Sequence, residues 1–176
     1  AGAAESIPLP ARSVGLITAA QAFHWFEIDQ ARAEFLRILS PTGRVALIWN
    51  DRVAGDPVHV ALDEVFASFG GAKRGALLAH ENRDDVPRFF GANRPRTLTW
   101  PHAHRLDEAG LASLVFSRSY MPGRRSRAGG EIALQVSRIF RRLAVGGTIK
   151  VCYRTVAIIG QPAASRPQPR PRRKSV

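Results

Sequence analysis

The apolar positions fall into short runs and helical stripes that alternate along the chain. Val14-Gly15-Leu16-Ile17-Thr18-Ala19 is bounded by Pro8, Pro10 and Ser13, which predicts a strand buried on both faces of a parallel sheet. Asp29 is a natural N-cap, and Ala31, Phe35, Leu36 and Leu39 then share one helical stripe that Pro41 and Gly43 end. A second apolar run follows over 44–50, so strand, helix and strand form a right-handed parallel crossover. Asp56 caps and Pro57 opens another helix, carrying Val58, Leu62, Val65, Phe66 and Phe69 up to Gly70.

The second half is less regular. Residues 71–95 read as turn-rich, with a short helix at 84–90, and a strand follows at 96–100. Asp107 caps a helix through about Phe116, and residues 117–130 form a basic loop. From Glu131, the positions Ile132, Val136, Ile139, Phe140 and Leu143 mark a further helix closed by Gly146-Gly147. Ile149, Val151, Tyr153 and Thr155 then alternate with polar residues in a final strand. The order is alternating α/β with a strand-rich end.

Length and composition narrow the class. At 176 residues, 45% apolar and 23% charged, the chain has the size and composition of one globular domain, which excludes a wholly disordered protein. No apolar run approaches the ~20 residues of a membrane span, and nothing at the N-terminus resembles an export signal. Cys152 is the only cysteine, so an intrachain disulfide and a multi-cysteine zinc site are both excluded. A soluble, cytoplasmic protein is the expectation. Residue 1 is Ala and Met121 is the only methionine, so the natural start of translation is not in view and the chain reads as a fragment.

The charge of +12 is concentrated at one end. Residues 1–108 carry a net charge of −1, whereas 109–176 carry +13 with Glu131 as their only acid. The end from Gln161, QPAASRPQPRPRRKSV, reads as a disordered basic tail, giving a domain over 1–160 and a tail over 161–176. Such a tail serves either as an electrostatic arm for nucleic acid or an anionic membrane surface, or it is solvated, out-of-frame or vector-derived sequence. With no aromatic side chain in it to stack on bases, specific readout is not expected.

Several pieces together carry a family resemblance. They are Gly2-Ala3-Ala4-Glu5, Pro8-Leu9-Pro10, Ser13-Val14, Ala20-Gln21-Ala22-Phe23-His24-Trp25-Phe26 and Leu39-Ser40-Pro41-Thr42-Gly43, with Ser117-Arg118-Ser119-Tyr120 and Tyr153-Arg154-Thr155 further on. In order and spacing the chain resembles the class I S-adenosylmethionine-dependent methyltransferases, close to the type 11 group. The resemblance implies an α/β, Rossmann-like class I methyltransferase fold, truncated at the N-terminus with the first strands missing, and with an antiparallel strand at the C-terminal end. It implies a cofactor, S-adenosyl-L-methionine, lying across the carboxyl ends of the strands, where the strand order reverses.

Carried over position by position, the resemblance places Gly2, Ala3, Ala4 and Glu5 along the adenine and Ala20, Gln21 and Ala22 against the ribose and methionine portion. His24 and Trp25 would sit beside the sulfonium, with Trp49, Asn50 and Asp51 at the same rim. The glycine-rich turn after the first strand and the ribose-binding acid after the second have no counterpart in this chain. Gly70-Gly71-Ala72-Lys73-Arg74-Gly75 does not replace that turn, because it follows a helix. With half the cofactor site unaccounted for, weak cofactor binding and poor solubility are expected.

Few side chains stand out as chemistry. His24 is the candidate general base, since neutral imidazole takes a proton near pH 7; its other reading is a packing residue among Phe23, Trp25 and Phe26. His102 and His104 share a strand face but have no cysteine and no acid nearer than Asp107, so no metal site is expected. Arg118, Tyr120, Tyr153 and Arg154 read either as an acceptor pocket or as a solvated basic face. Cys152 reads as a small core residue. The expected function is direct methyl transfer to a small-molecule acceptor. The alternatives are a basic, non-specific nucleic-acid-binding protein and an inactive truncated remnant.

Overall fold

A computed structural model describes residues 2–80 and 83–164. Four strands among them form one sheet: β1 (Val14–Ala20), β2 (Leu39–Arg52), β3 (Arg96–Leu106) and β4 (Ile149–Gly160), in the spatial order β1-β2-β4-β3. The helices are α1 (Ile28–Ile38), α2 (Pro57–His80), α3 (Asp85–Phe90), α4 (Glu108–Phe116) and α5 (Arg127–Leu143), with a 3-10 turn at Phe23–Trp25. The result is the mixed α/β class expected. The described residues separate into two compact units, 2–47, 84–96 and 158–164 in one and 48–80, 83 and 97–157 in the other.

In the first unit, Arg12 and Ser13 donate their N–H groups to Arg37 and Ile38 O in turn, so the entry to β1 and the end of α1 advance together, as a parallel crossover requires. Phe23, Phe35 and Phe89 meet edge to face, with centroids 5.3 Å apart for Phe23–Phe89 and 6.0 Å for Phe35–Phe89. These rings are buried and make the small aromatic core on which α1 and α3 sit. Arg88 pairs with Asp29, and Arg32 donates to Arg88 O at 2.8 Å, joining the same two helices. Gln161 Nε2 donates to Pro41 O at 2.6 Å and Ala163 N–H to Phe89 O at 3.2 Å, so the chain just past β4 is still tied into this unit. The basic tail expected beyond it lies, from residue 165 on, outside the described residues.

In the second unit, α2 and α4 both pack on α5 around Leu62, Phe66, Leu111, Ile132 and Val151. Asp56 Oδ1 accepts the N–H groups of Val58 and His59 at 3.0 Å, and Asp107 Oδ1 that of Gly110 at 2.7 Å, so both expected caps are in place. Asn50 and Val53 of the β2 end face Thr155 and Cys152, one strand rising as the other falls. The last strand is therefore antiparallel to its neighbour, as expected. Pro101 lies within β3, which it can do because β3 is at the rim of the sheet.

Several local expectations change. β1 is not buried on both faces: no strand among the described residues flanks its outer side, and Leu16 is 58% exposed. α1 begins at Ile28, one residue before Asp29, and Glu27 at the N-cap position makes no side-chain capping hydrogen bond. Residues 72–80 are helical rather than turn-rich; α2 breaks only at Gly71 (φ 52°, ψ −152°) and resumes, because the alanines and leucines beyond favour a helix. α5 starts at Arg127 rather than Glu131, since Ser126 Oγ accepts the Gly129 N–H at 3.0 Å. The strand expected over 96–100 runs on to Leu106.

Candidate functional site

In the first unit, Gly2, Ala3, Ala4, Ile7, Pro8, Ile17, Thr18, Phe26 and Phe35 line a cavity of about 370 Å³. Such a volume falls within the ~300–1,000 Å³ of small-molecule sites. The loop above it is held by a clamp from α1. Glu34 accepts the Ile7 N–H at 2.7 Å and pairs with Arg37 at 2.6 Å, while Arg37 donates to Leu9 O and Ile7 O. The Arg37 guanidinium, then the Ile7 N–H, hold the Glu34 carboxyl down at about 2. Glu5, expected along the cofactor, turns one oxygen to the Glu27 N–H at 2.9 Å and so fastens the loop to the start of α1.

At the carboxyl end of β1, Gln21 has φ +51°, a left-handed conformation unusual for a side chain of this kind. The 3-10 turn follows at once and places His24 half-buried, its ring 4.8 Å from that of Trp25, which is 62% exposed. Of the residues expected around the donor, Gly2, Ala3 and Ala4 thus share the cavity, and Ala20, Gln21 and Ala22 form the strand-end turn.

Of the residues expected around the acceptor, Trp25 lies in the first unit and Trp49, Asn50, Arg118, Tyr120 and Tyr153 lie in the second. Trp49 is buried, with the Arg83 guanidinium 4.4 Å over its ring and Asp51 paired to Arg83. Asn50 accepts from Thr155 Oγ1 at 2.8 Å. Tyr153 is buried among His59, His102 and His104, with ring centroids 4.9, 5.6 and 5.5 Å away. Burial pushes its phenol up, against the pull of Arg118 and Arg52. Tyr120 meets the edge of Phe66 at 5.8 Å, and the guanidinium groups of Arg118 and Arg52 lie 5.9 and 5.8 Å from the same ring. Arg154 is exposed. Burial also raises the Cys152 thiol, with Asp56 beside it, which fits a packing role. No group of three or more metal-ligating side chains exists among the described residues.

Residues 1–47 match the family model of the methyltransferase domain. An uncharacterized methyltransferase-like protein of Schizosaccharomyces pombe is 27% identical over 172 residues, 89% of this chain and 62% of the relative. An uncharacterized methyltransferase of Mycobacterium bovis is 34% identical over 119 residues, 68% of this chain and 45% of the relative. A solved structure of a candidate type II methyltransferase from Anaeromyxobacter dehalogenans superposes with a TM-score of 0.64 at 20% identity, over 91% of this chain and 69% of that one. Residues 1–47 thus carry the pattern of a methyltransferase domain, and the described residues share the fold of the solved methyltransferase. The chain spans less than two thirds of the length of these two relatives.

The lining of the cavity suits the purine end of the donor that the methyltransferase family implies. Small residues and backbone form one side, and Phe26 and Phe35 supply flat apolar walls. A Cβ on Gly2 would come within 3.2 Å of Ser6 O and 3.5 Å of Pro8 Cδ, so the loop is closed tightly there.

Sequence reasoning passed over His59, which is buried at the centre of the second unit. Its Nδ1 accepts from Arg52 Nε at 3.0 Å and its Nε2 donates to Cys152 O at 2.7 Å. Arg52 in turn reaches Asp63 at 2.7 Å. A single histidine on an amphipathic helix carries no signal for this; only the tertiary pairing of α2 with β4 creates it. No helix among the described residues is long and apolar enough to cross a membrane.

Proposed function

We propose that the chain is part of a cytoplasmic S-adenosylmethionine-dependent methyltransferase with a small-molecule acceptor. The single observation that carries the reading is the cavity in the first unit, whose lining includes three of the residues the family resemblance assigns to the adenine. S-adenosylmethionine supplies a methyl group on a sulfonium, so the protein needs no nucleophile of its own. Gly2, Ala3 and Ala4 hold the purine through backbone groups and van der Waals contact, and Phe26 and Phe35 exclude water from its faces. Ala20, Gln21 and Ala22 shape the strand-end turn toward the ribose and methionine portion. His24, beside Trp25, takes the proton that an acceptor hydroxyl or amine releases. Trp25 gives the acceptor an exposed aromatic surface.

The test is a two-dimensional amide NMR titration of the intact chain with S-adenosylhomocysteine. Shifts confined to Gly2–Glu5 and Ala20–Ala22, saturating above the micromolar range, support the reading. Ala4→Trp, which fills the cavity, should abolish them. Absence of shifts at these residues up to millimolar ligand overturns it. Micromolar affinity would overturn the expectation that the chain alone binds weakly.

A further inference from the structure

We infer that Glu34 and Arg37 are positioning residues for the methyl donor: by fixing the loop 2–9 against α1 they set the shape of the cavity, although neither lines it. The inference rests on the reading of this cavity as the donor site. The loop contributes Gly2, Ala3, Ala4, Ile7 and Pro8 to the lining, and α1 contributes Phe35. Glu34 directly precedes Phe35, and Arg37 follows it two residues later. One short stretch of α1 therefore carries both a wall of the cavity and the groups that hold the loop.

None of residues 2–10 is buried, so apolar packing does little to hold the loop. Polar tethers do. Besides the bond from the Glu27 N–H to Glu5, Glu34 Oε1 accepts the Ile7 N–H at 2.7 Å, and Arg37 donates to Ile7 O at 3.0 Å and to Leu9 O at 2.8 Å. Both backbone polar groups of Ile7, itself a lining residue, are thus bound to α1. The two side chains also fix each other, Arg37 Nε donating to Glu34 Oε2 at 2.7 Å and Nη2 to Oε1 at 2.6 Å. A planar guanidinium serves a carboxylate and two carbonyls at once, which an ammonium on a flexible stem does not do in the same geometry. Without these tethers the loop samples other positions, and donor affinity falls with the fraction of molecules that keep the binding shape.

The test measures two quantities side by side in the full chain: S-adenosylhomocysteine affinity, from the amide shifts of Ala20–Ala22, and hydrogen exchange at Ile7. Glu34→Ala and Arg37→Ala should each quicken exchange at Ile7 and weaken binding about fivefold or more, the worth of one net hydrogen bond. Arg37→Lys should weaken it nearly as much, because the fork and not the charge is what holds the loop. Val86→Ala removes apolar groups buried in α3, away from the loop. It should lower the urea midpoint yet leave the affinity within about twofold of wild type, as separate sites do. In the wild type, S-adenosylhomocysteine should slow exchange at Ile7, since the coupling between loop and ligand is reciprocal.

Faster exchange at Ile7 in Glu34→Ala with unchanged affinity overturns this inference and leaves the donor reading standing. Wild-type affinity in Arg37→Lys overturns it as well, since the arginine would then act only as a charge. So does an equal loss of affinity in Val86→Ala, which would mean that binding follows the general stability of the unit. The wild-type exchange measurement needs no variant, so a failure of Glu34→Ala to fold leaves the test intact. Saturating shifts at Ala20–Ala22 without slower exchange at Ile7 overturn the inference on their own. Absence of any shifts in the wild type overturns the donor reading, and this inference with it.

Discussion

His59 Nδ1 accepts the Nε–H of Arg52 at 3.0 Å, which is possible only while the ring is neutral. Burial, the largest influence, lowers the His59 pKa from 6.5, and the nearby Arg52 charge lowers it further against the Cys152 carbonyl. The folded state therefore binds the proton less readily than the unfolded chain. The resulting stability is complete above pH 6.5 and declines as the pH falls below it. The urea midpoint should drop between about pH 7.5 and about pH 5.5, and the drop should be smaller in His59→Gln. That variant should lose ~1–3 kcal/mol at neutral pH, because it leaves Arg52 or Cys152 O unsatisfied.

The Glu34 clamp has its own pH window. With the carboxyl lowered from 4.5 to about 2, its contribution is present above pH 4.5 and disappears as the pH falls toward 2. The stability difference between wild type and Glu34→Gln should be constant at neutral pH and vanish across that interval. In Glu34→Ala, hydrogen exchange at Ile7 should quicken at neutral pH, since that amide loses its acceptor.

Gly129 and Gly130 are adjacent in α5 yet should respond in opposite ways to alanine. A Cβ at Gly129 would stand 2.4 Å from Gly123 O and 2.6 Å from Arg124 O, whereas one at Gly130 meets nothing within 4 Å. Gly129→Ala should cost ~1–3 kcal/mol through overpacking. Gly130→Ala should stabilise by up to ~1 kcal/mol through helix propensity. Denaturant melts of the two variants give the comparison.

Gln21 separates fold from binding. Its left-handed φ of +51° means that Gln21→Val should destabilise by ~1–2 kcal/mol. Gln21→Gly should stay within about 1 kcal/mol of wild type, since relief of strain offsets the greater freedom of the unfolded chain. If the turn serves the donor, the glycine variant should nonetheless weaken S-adenosylhomocysteine binding in the NMR titration.

The signals written locally were the legible ones. Asp56 and Asp107 announce their helices because a short acceptor side chain before an apolar stripe has few other uses, and both caps form. The alternation from Ile149 to Thr155 and the run over 44–50 likewise become strands. Where the sequence misleads, a local rule competes with packing. Gly70-Gly71 reads as a stop, but Gly70 is buried, with Tyr120 Cδ2 3.1 Å from where its Cβ would be, and the helix resumes beyond the break. The candidate site divides in the same manner. The loop and strand-end residues were recognisable from order and spacing. The pairing of His59 with Arg52 and the Cys152 carbonyl exists only through the tertiary placement of α2 against β4, which no local pattern announces.

Pro101 gives β3, one of the two edge strands among the described residues, a property that its neighbour β4 lacks. It has no N–H to offer, so any foreign strand approaching the rim of β3 finds one rung of the ladder missing, with Arg96 and Arg105 exposed along the same strand. Stacking of copies through this side should be interrupted at each molecule, and the rim is thereby guarded against growth into fibres.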